Sequence, residues 1–199
     1  MKTTFTGKRI TGVLTILPEQ EYIYEDEIAK EPEENRRLKR LKRIMGYGKR
    51  RRAKETTTVS DMILYGAKKL IQEGKIKKEE IGAVVVVTLS PDYFCPTVSA
   101  IVQGELGLTD DVLCVDIPQA CAGYVVGLMQ SFMLLEHMEG KKVLLCTGET
   151  FCRGNKEKQE PHITEHLLAG MQPILQLWKM AGKIKYVMNF IRMDHRENV

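Results

Sequence analysis

The residue best placed for chemistry is a cysteine. Cys121 stands in the stretch VDIPQACAGY, Val115 to Tyr124, between an apolar run, Val112 to Ile117, and a long apolar segment that opens at Ala122. The run reads as a strand, Pro118 and Gln119 as a bend, and the long segment as a helix. The thiol therefore falls at a helix start, where backbone N–H groups lack intrahelical acceptors and the dipole is positive. Both effects stabilise a thiolate and lower a cysteine pKa, as a nucleophile requires. Gly123 has no side chain and admits close approach by another group. A free cysteine is also a common small core residue, so spacing alone leaves the nucleophilic and packing roles both open.

Bases for such a thiol are scarce. The histidines are His137, His162, His166 and His195. His137 lies on the cysteine helix more than four turns along, about 24 Å away at the helical rise per residue, and reads as a helix-end residue. The other three fall in the C-terminal stretch. The five cysteines, Cys95, Cys114, Cys121, Cys146 and Cys152, are an odd number without zinc-ligand spacing. They suit a reducing cytosol better than a disulfide framework, and no metal is expected.

The elements that must hold Cys121 are legible on either side of it. Residues 8 to 17 read as a strand ending at Pro18. Residues 31 to 45 read as a helix with Pro32 near its start, acidic residues in the first turn and a narrow apolar stripe of Leu38, Leu41, Ile44 and Met45. Thr58 and Asp61 make a variant capping box for a second helix, whose face is Val59, Met62, Ile63, Gly66, Ala67, Leu70 and Ile71 and which stops at Gly74. AVVVVTL is an all-apolar β-branched run of the kind found in central parallel strands. A helix follows Pro96 and ends at Gly107. The helix from Ala122 to Met138 is apolar nearly all round and is expected to be deeply buried, and VLLCTG is one more buried strand. Strands alternating with helices predict an α/β domain with a mainly parallel sheet.

With 199 residues, 43% of them hydrophobic, the chain suits one domain or a large part of one. No apolar run reaches spanning length and MKTTFTGKR lacks a signal peptide's apolar core, so a soluble cytoplasmic protein without a membrane partner is expected. Net charge is +4, but the excess gathers between Arg36 and Lys54, after an acidic segment from Glu25 to Glu34. That stretch reads either as a solvated helix face with a charged loop or as an anion-docking surface. Tyr47 is its one interleaved aromatic and it carries no nucleic-acid motif, so nucleic-acid binding is not expected.

The string DIPQACAGY resembles the nucleophile segment of thiolase-superfamily condensing enzymes, above all β-ketoacyl-acyl-carrier-protein synthase III. That family's pattern Asp-x-x-x-Ala-Cys-Ala-Gly-Phe/Tyr is filled by Asp116, Ala120, Cys121, Ala122, Gly123 and Tyr124. The resemblance covers residues 8 to about 155. IMGYGKRRRAKETTTVSDM is similar to the family's Thr-Gly-Ile-x-x-Arg block, VVVVTLSPDYFCPTVSA to its strand and acyl-pocket loop, and VLLCTGETF to the strand after the cysteine helix. It implies the N-terminal half of a thiolase-like fold, with a mainly parallel or mixed sheet between helix layers, and a homodimer formed through the nucleophile's sheet. It also implies a cytoplasmic acyltransferase of fatty-acid or related lipid synthesis, acyl-coenzyme A and acyl carrier protein as substrate and partner, and no cofactor beyond the thioester. Cys121 is then the acylated nucleophile, and Thr88, Phe94 and Cys95 fall in the acyl pocket. Two positions depart from the pattern. The family's coenzyme-A-contacting arginine falls on Gly48, which leaves Arg50, Arg51 and Arg52 as candidates for coenzyme A or carrier-protein docking. A phenylalanine that closes the partner's pocket falls on Cys95, beside Phe94. Hydroxymethylglutaryl-coenzyme A synthases and chalcone-synthase-like enzymes share the fold and are more distant comparisons.

The resemblance stops after about Arg153. Where the family continues with a Gly-Asp-Ala/Gly-Ala strand and a second half bearing a catalytic histidine and asparagine, this chain reads LLAGMQPILQLWKMAGKIKYVMNFIRMDHRENV. The expectation is a condensing-enzyme half over 1–165 and an atypical stretch over 166–199, from out-of-frame translation or truncation. Read one nucleotide earlier, Met171-Gln172 forces an alanine and allows Gly-Asp-Ala-Ala. The competing reading is a divergent helix carrying Leu167, Leu168, Met171, Ile174, Leu175, Trp178 and Met180 near helical spacing. Either way the family's histidine and asparagine partners are missing, so the chain is expected to be impaired in the full condensation or to act as a non-catalytic dimerising fragment.

Overall fold

The computed structural model describes residues 4–23, 25–26, 36, 39–40, 43–44, 48–150 and 189–195. Two sheets are present among them. The larger has five strands in the order β1 (Lys8–Leu14), β7 (Asn189–His195), β6 (Lys142–Thr147), β4 (Ile81–Val87) and β5 (Leu113–Ile117). The last three are parallel, while β7 runs antiparallel to both its neighbours. The smaller is a hairpin-like pair, β2 (Gln20–Ile23) against β3 (Lys49–Arg52). The expected α/β architecture with a mainly parallel sheet is present.

The central strand is the expected one. All seven residues of β4 are buried, and their alternation divides the core into two faces. Val84 and Val86 pack with Val59 and Ile63 of α1 (Val59–Gln72) and with Val98 and Val102 of α2 (Val98–Leu106). Ala83, Val85 and Val87 face the other way, with Leu145 of β6 and Leu135 of α3 (Gly123–Leu135). Each such valine or isoleucine contributes about 1.5–3 kcal/mol on leaving water, so this triple layer dominates the stability of the domain.

The helix ends follow the sequence signals. Thr58 accepts from the Asp61 N–H at 3.1 Å and Asp61 accepts from the Thr58 N–H at 2.9 Å, which closes the predicted capping box of α1. Gly107 ends α2 with φ of 60°, a left-handed backbone that suits glycine.

One expectation needs correction. The nucleophile helix spans Gly123–Leu135 rather than Ala122–Met138, and it is not deeply buried. Only Gly123, Gly127, Ser131 and Leu135 are, a single stripe four residues apart, while Val125 is 65% and Met133 47% exposed. The physical reason is position: α3 has the sheet on one side, and no described element covers its outer face. Residues 189–195, within the segment set apart as 166–199, pair along their whole length between β6 and β1. The proposed helix from Leu167 to Met180 lies outside the described residues, and the helix read over 31–45 lies largely outside them.

Candidate active site

Strands β4, β5 and β6 point the same way, and their C-terminal ends release three loops side by side: 88–97, 118–122 and 148–150. A crevice beyond the carboxyl ends of parallel strands is where α/β folds place their sites. Cys121 lies in the loop that follows β5, the edge strand, and is exposed. It precedes Ala122, the N-cap of α3, in a turn closed by the Gly123 N–H donating to Ala120 O at 2.8 Å. The thiol therefore stands one residue outside the cap.

Gly123 is required by its approach to the sheet. A Cβ there would sit 2.5 Å from Val87 Cγ1, and one at Gly127 would sit 2.8 Å from Val87 Cγ2 and 2.9 Å from Leu145 Cδ1. The close approach expected at Gly123 is made by a core valine of β4. The glycines lower α3 onto the strands, and this seats the Cys121 turn at the sheet edge.

Asp116, four residues before the start of the Ala-Cys-Ala-Gly run, is structural. Its carboxylate accepts the Val98 N–H at 2.8 Å and the Ser99 N–H at 2.9 Å, so it caps α2 from β5. Asp92 does the same for α1, accepting the Val59 N–H at 3.0 Å and the Ser60 N–H at 3.3 Å. Neither role was read from the sequence, because both caps come from residues far away in the chain.

Of the residues expected in the acyl pocket, Thr88 is 3% exposed and its hydroxyl lies 3.4 Å from Glu149 Oε2. Phe94 is fully exposed and Cys95 exposed, both on the loop between β4 and α2. Sequence reading missed Glu149, which accepts the Leu89 N–H at 2.6 Å and the Ser90 hydroxyl at 2.7 Å. Burial pushes its pKa up, against the lowering effect of these bonds. The available signal was a carboxylate directly after a buried strand, level with the hydroxyls that follow the neighbouring strand.

The other cysteines differ in kind. Cys146 is buried and Cys114 partly so, and burial, reinforced by the charge of Asp116, raises both thiols. Cys152 lies outside the described residues. Among the described histidines, His137 is exposed beyond the C-terminal end of α3. His195 is paired with Lys8 at the end of the sheet opposite the site, since the antiparallel β7 puts Asn189 beside Thr147 and Asp194 beside Lys142. Neither meets Cys121. His162 and His166 lie outside the described residues.

The arginine candidates fall on β3. Arg51 is committed within the chain: its Nη1 donates to Glu19 O at 2.9 Å and Pro18 O at 3.4 Å, and its Nη2 meets Glu21 Oε2 at 2.8 Å. Arg50 and Arg52 occupy the flanking register positions, opposite Tyr22 and Gln20. Among the described residues no group of histidines, cysteines and carboxylates is arranged to hold a metal, and no helix is long and apolar enough to cross a membrane.

Known proteins share this fold and part of this sequence. A Campylobacter jejuni protein provisionally named 3-oxoacyl-acyl-carrier-protein synthase 3 is 34% identical over 154 residues, 77% of this chain and 43% of the relative. The β-ketoacyl-acyl-carrier-protein synthase III of Levilactobacillus brevis is 42% identical over 94 residues, 47% of this chain and 28% of that protein. Among solved structures, a 3-oxoacyl-acyl-carrier-protein synthase from Burkholderia xenovorans superposes with a TM-score of 0.76 at 19% identity, over 98% of this chain and 50% of that one. A single-residue variant of Xanthomonas campestris OleA superposes with 0.69 at 21% identity, over 96% of this chain and 59% of the other. No family model matches. The class of fold is thus defined: the chain has a thiolase-like fold, as these solved structures have. Within that class it is homologous to 3-oxoacyl-acyl-carrier-protein synthase III over its N-terminal part, and it spans less than half the length of the curated relatives it matches.

Proposed function

We propose that Cys121 is the acyl-accepting nucleophile of a β-ketoacyl-acyl-carrier-protein synthase III-like reaction in fatty-acid or related lipid synthesis. The observation that carries this reading is the exposed thiol at the start of α3, beyond the carboxyl ends of three parallel strands. Its thiolate attacks the thioester carbonyl of an acyl-coenzyme A. The tetrahedral adduct collapses with release of the coenzyme A thiolate, and the acyl group remains on Cys121 as a thioester. Covalent catalysis of this kind replaces one hard transfer by two easier ones, and backbone N–H groups at the turn are suited to the intermediate's oxyanion. In the second half, malonyl carrier protein loses carbon dioxide, its carbanion attacks the acyl carbonyl, and the Cys121 thiolate leaves.

The second half needs donors that the described part of this chain does not bring to Cys121, because His137 and His195 both lie at the far end of the sheet. The chain is therefore read as competent in acyl transfer and impaired in decarboxylation. Carbon dioxide release from malonyl carrier protein at a normal rate would refute that impairment. The stretch from Arg36 to Lys54 is read as a docking face for coenzyme A phosphates or acidic carrier protein, favoured by electrostatic steering, with Arg51 already engaged by Glu19 and Glu21.

A second reading is a non-catalytic dimerising fragment. It is favoured by the edge of β5, which pairs with no other strand among the described residues, and by the exposed Leu113 on that strand. Incubation with an isotopically labelled acyl-coenzyme A separates the two: label on Cys121 supports the transferase, and an unlabelled folded dimer supports the fragment.

A further inference from the structure

Glu149 sits just past β6 in a hydrogen-bonded cluster whose protons can be placed. Its Oε1 accepts the Leu89 N–H, and its Oε2 lies within reach of the Ser90 and Thr88 hydroxyls at 2.7 and 3.4 Å. Those hydroxyls are themselves supplied with donors: the Ser90 N–H donates to Thr88 Oγ1 at 3.0 Å, and the Thr150 N–H donates to Ser90 Oγ at 2.8 Å. Both hydroxyls can then donate to the carboxylate, and these bonds are all consistent with an ionised Glu149.

The cluster fixes the first residues of the 88–97 loop. Further along, Asp92 of the loop ties it to the start of α1, and Asp116 ties the loop's exit to β5 through the Val98 and Ser99 N–H groups. Three carboxylates from different parts of the chain pin the loop near its beginning, middle and end, and between the last two stand Tyr93, 63% exposed, and Phe94, fully exposed. The loop's first residue also pairs with the end of β5: the Thr88 N–H donates to Ile117 O at 3.2 Å, just ahead of Pro118. Asp92 and Asp116 cap helices, so losing either acts first on stability. The Glu149 bonds go to the loop itself.

We propose that Glu149 is a positioning residue: it sets the angle at which the 88–97 loop leaves the sheet, and through the loop it selects which acyl groups reach Cys121. The proposal rests on the condensing-enzyme reading. Its test compares the full chain with Glu149→Ala and Glu149→Gln, each checked for native folding by circular dichroism. Acylation of Cys121 by short, branched and long acyl-coenzyme A is followed by mass spectrometry, alongside alkylation by iodoacetamide. In Glu149→Ala the ratio of short-chain to long-chain acylation rates should change by about tenfold, the scale of one lost hydrogen bond to a charged group, with alkylation unchanged. Glu149→Gln, which keeps an oxygen for the Leu89 N–H, should recover most of the ratio. An unchanged ratio in folded Glu149→Ala, or all acyl groups and iodoacetamide slowing in parallel, would overturn the proposal. If the unaltered chain accepts no acyl group, the condensing-enzyme reading itself fails. Amide exchange at Leu89 and Ser90 then decides the positioning claim: acceleration in the alanine variant with recovery in the glutamine variant supports it, and unchanged exchange overturns it.

Discussion

Four cysteines with known surroundings give one chain an internal control for reactivity. Cys121 and Cys95 are exposed, whereas burial raises the Cys114 and Cys146 thiols and makes their thiolates scarce. Brief native treatment with iodoacetamide should therefore label Cys121 and Cys95 and spare Cys146, as read by peptide mapping; early labelling of Cys146 would contradict the core arrangement. Glu149 offers a second test, in pH. Its folded pKa lies above the ordinary glutamate value of 4.5, chiefly through burial, so the native state binds more protons than the unfolded chain in that window. The group's contribution to stability is full below pH 4.5 and is lost as pH rises through the folded pKa. Denaturant titrations at several pH values should show that loss in the unaltered chain and not in Glu149→Gln; parallel curves would place the titration elsewhere.

Elements show how a local signal becomes a site. The small residues Gly123 and Gly127 let α3 sit directly on Val87 and Leu145. Gly123→Ala puts a methyl 2.5 Å from Val87 Cγ1 and is expected to cost about 1–3 kcal/mol in urea unfolding, as overpacking does, and to slow acylation of Cys121. Asp116→Ala removes the acceptor for two N–H groups of α2 and is expected to cost about 1–2 kcal/mol in the same measurement. Little change in either would show that the helix seats are set by other contacts. The sequence made β4, the capping box at Thr58, the Gly107 stop and the Cys121 turn legible, because each is written in neighbouring residues. The Asp116 and Asp92 caps and the Glu149 cluster were not legible, since their partners lie 17 to 18, 32 to 33 and 59 to 61 residues away. The shallow burial of α3 escaped for a related reason: an all-round apolar helix reports that something covers it, not whether the cover belongs to the same chain.

On the scale of the molecule, the outer edge of β5 pairs with no other strand among the described residues, and Leu113 on it is exposed. An uncovered strand edge with an exposed apolar side chain invites pairing, so a homodimer through β5 is expected, with a mass by light scattering that falls on dilution. A chain that stays monomeric at high concentration would remove that expectation. At this scale, too, the two described histidines stand at the far end of the sheet from the thiol. The most direct test is to mix the full chain with an acyl-coenzyme A and map the adduct by mass spectrometry. One acyl group is predicted, held as a hydroxylamine-labile thioester on Cys121 and absent from Cys121→Ser. A natively folded chain that leaves Cys121 unacylated, or that carries the acyl group on another residue, would contradict the nucleophile's assignment.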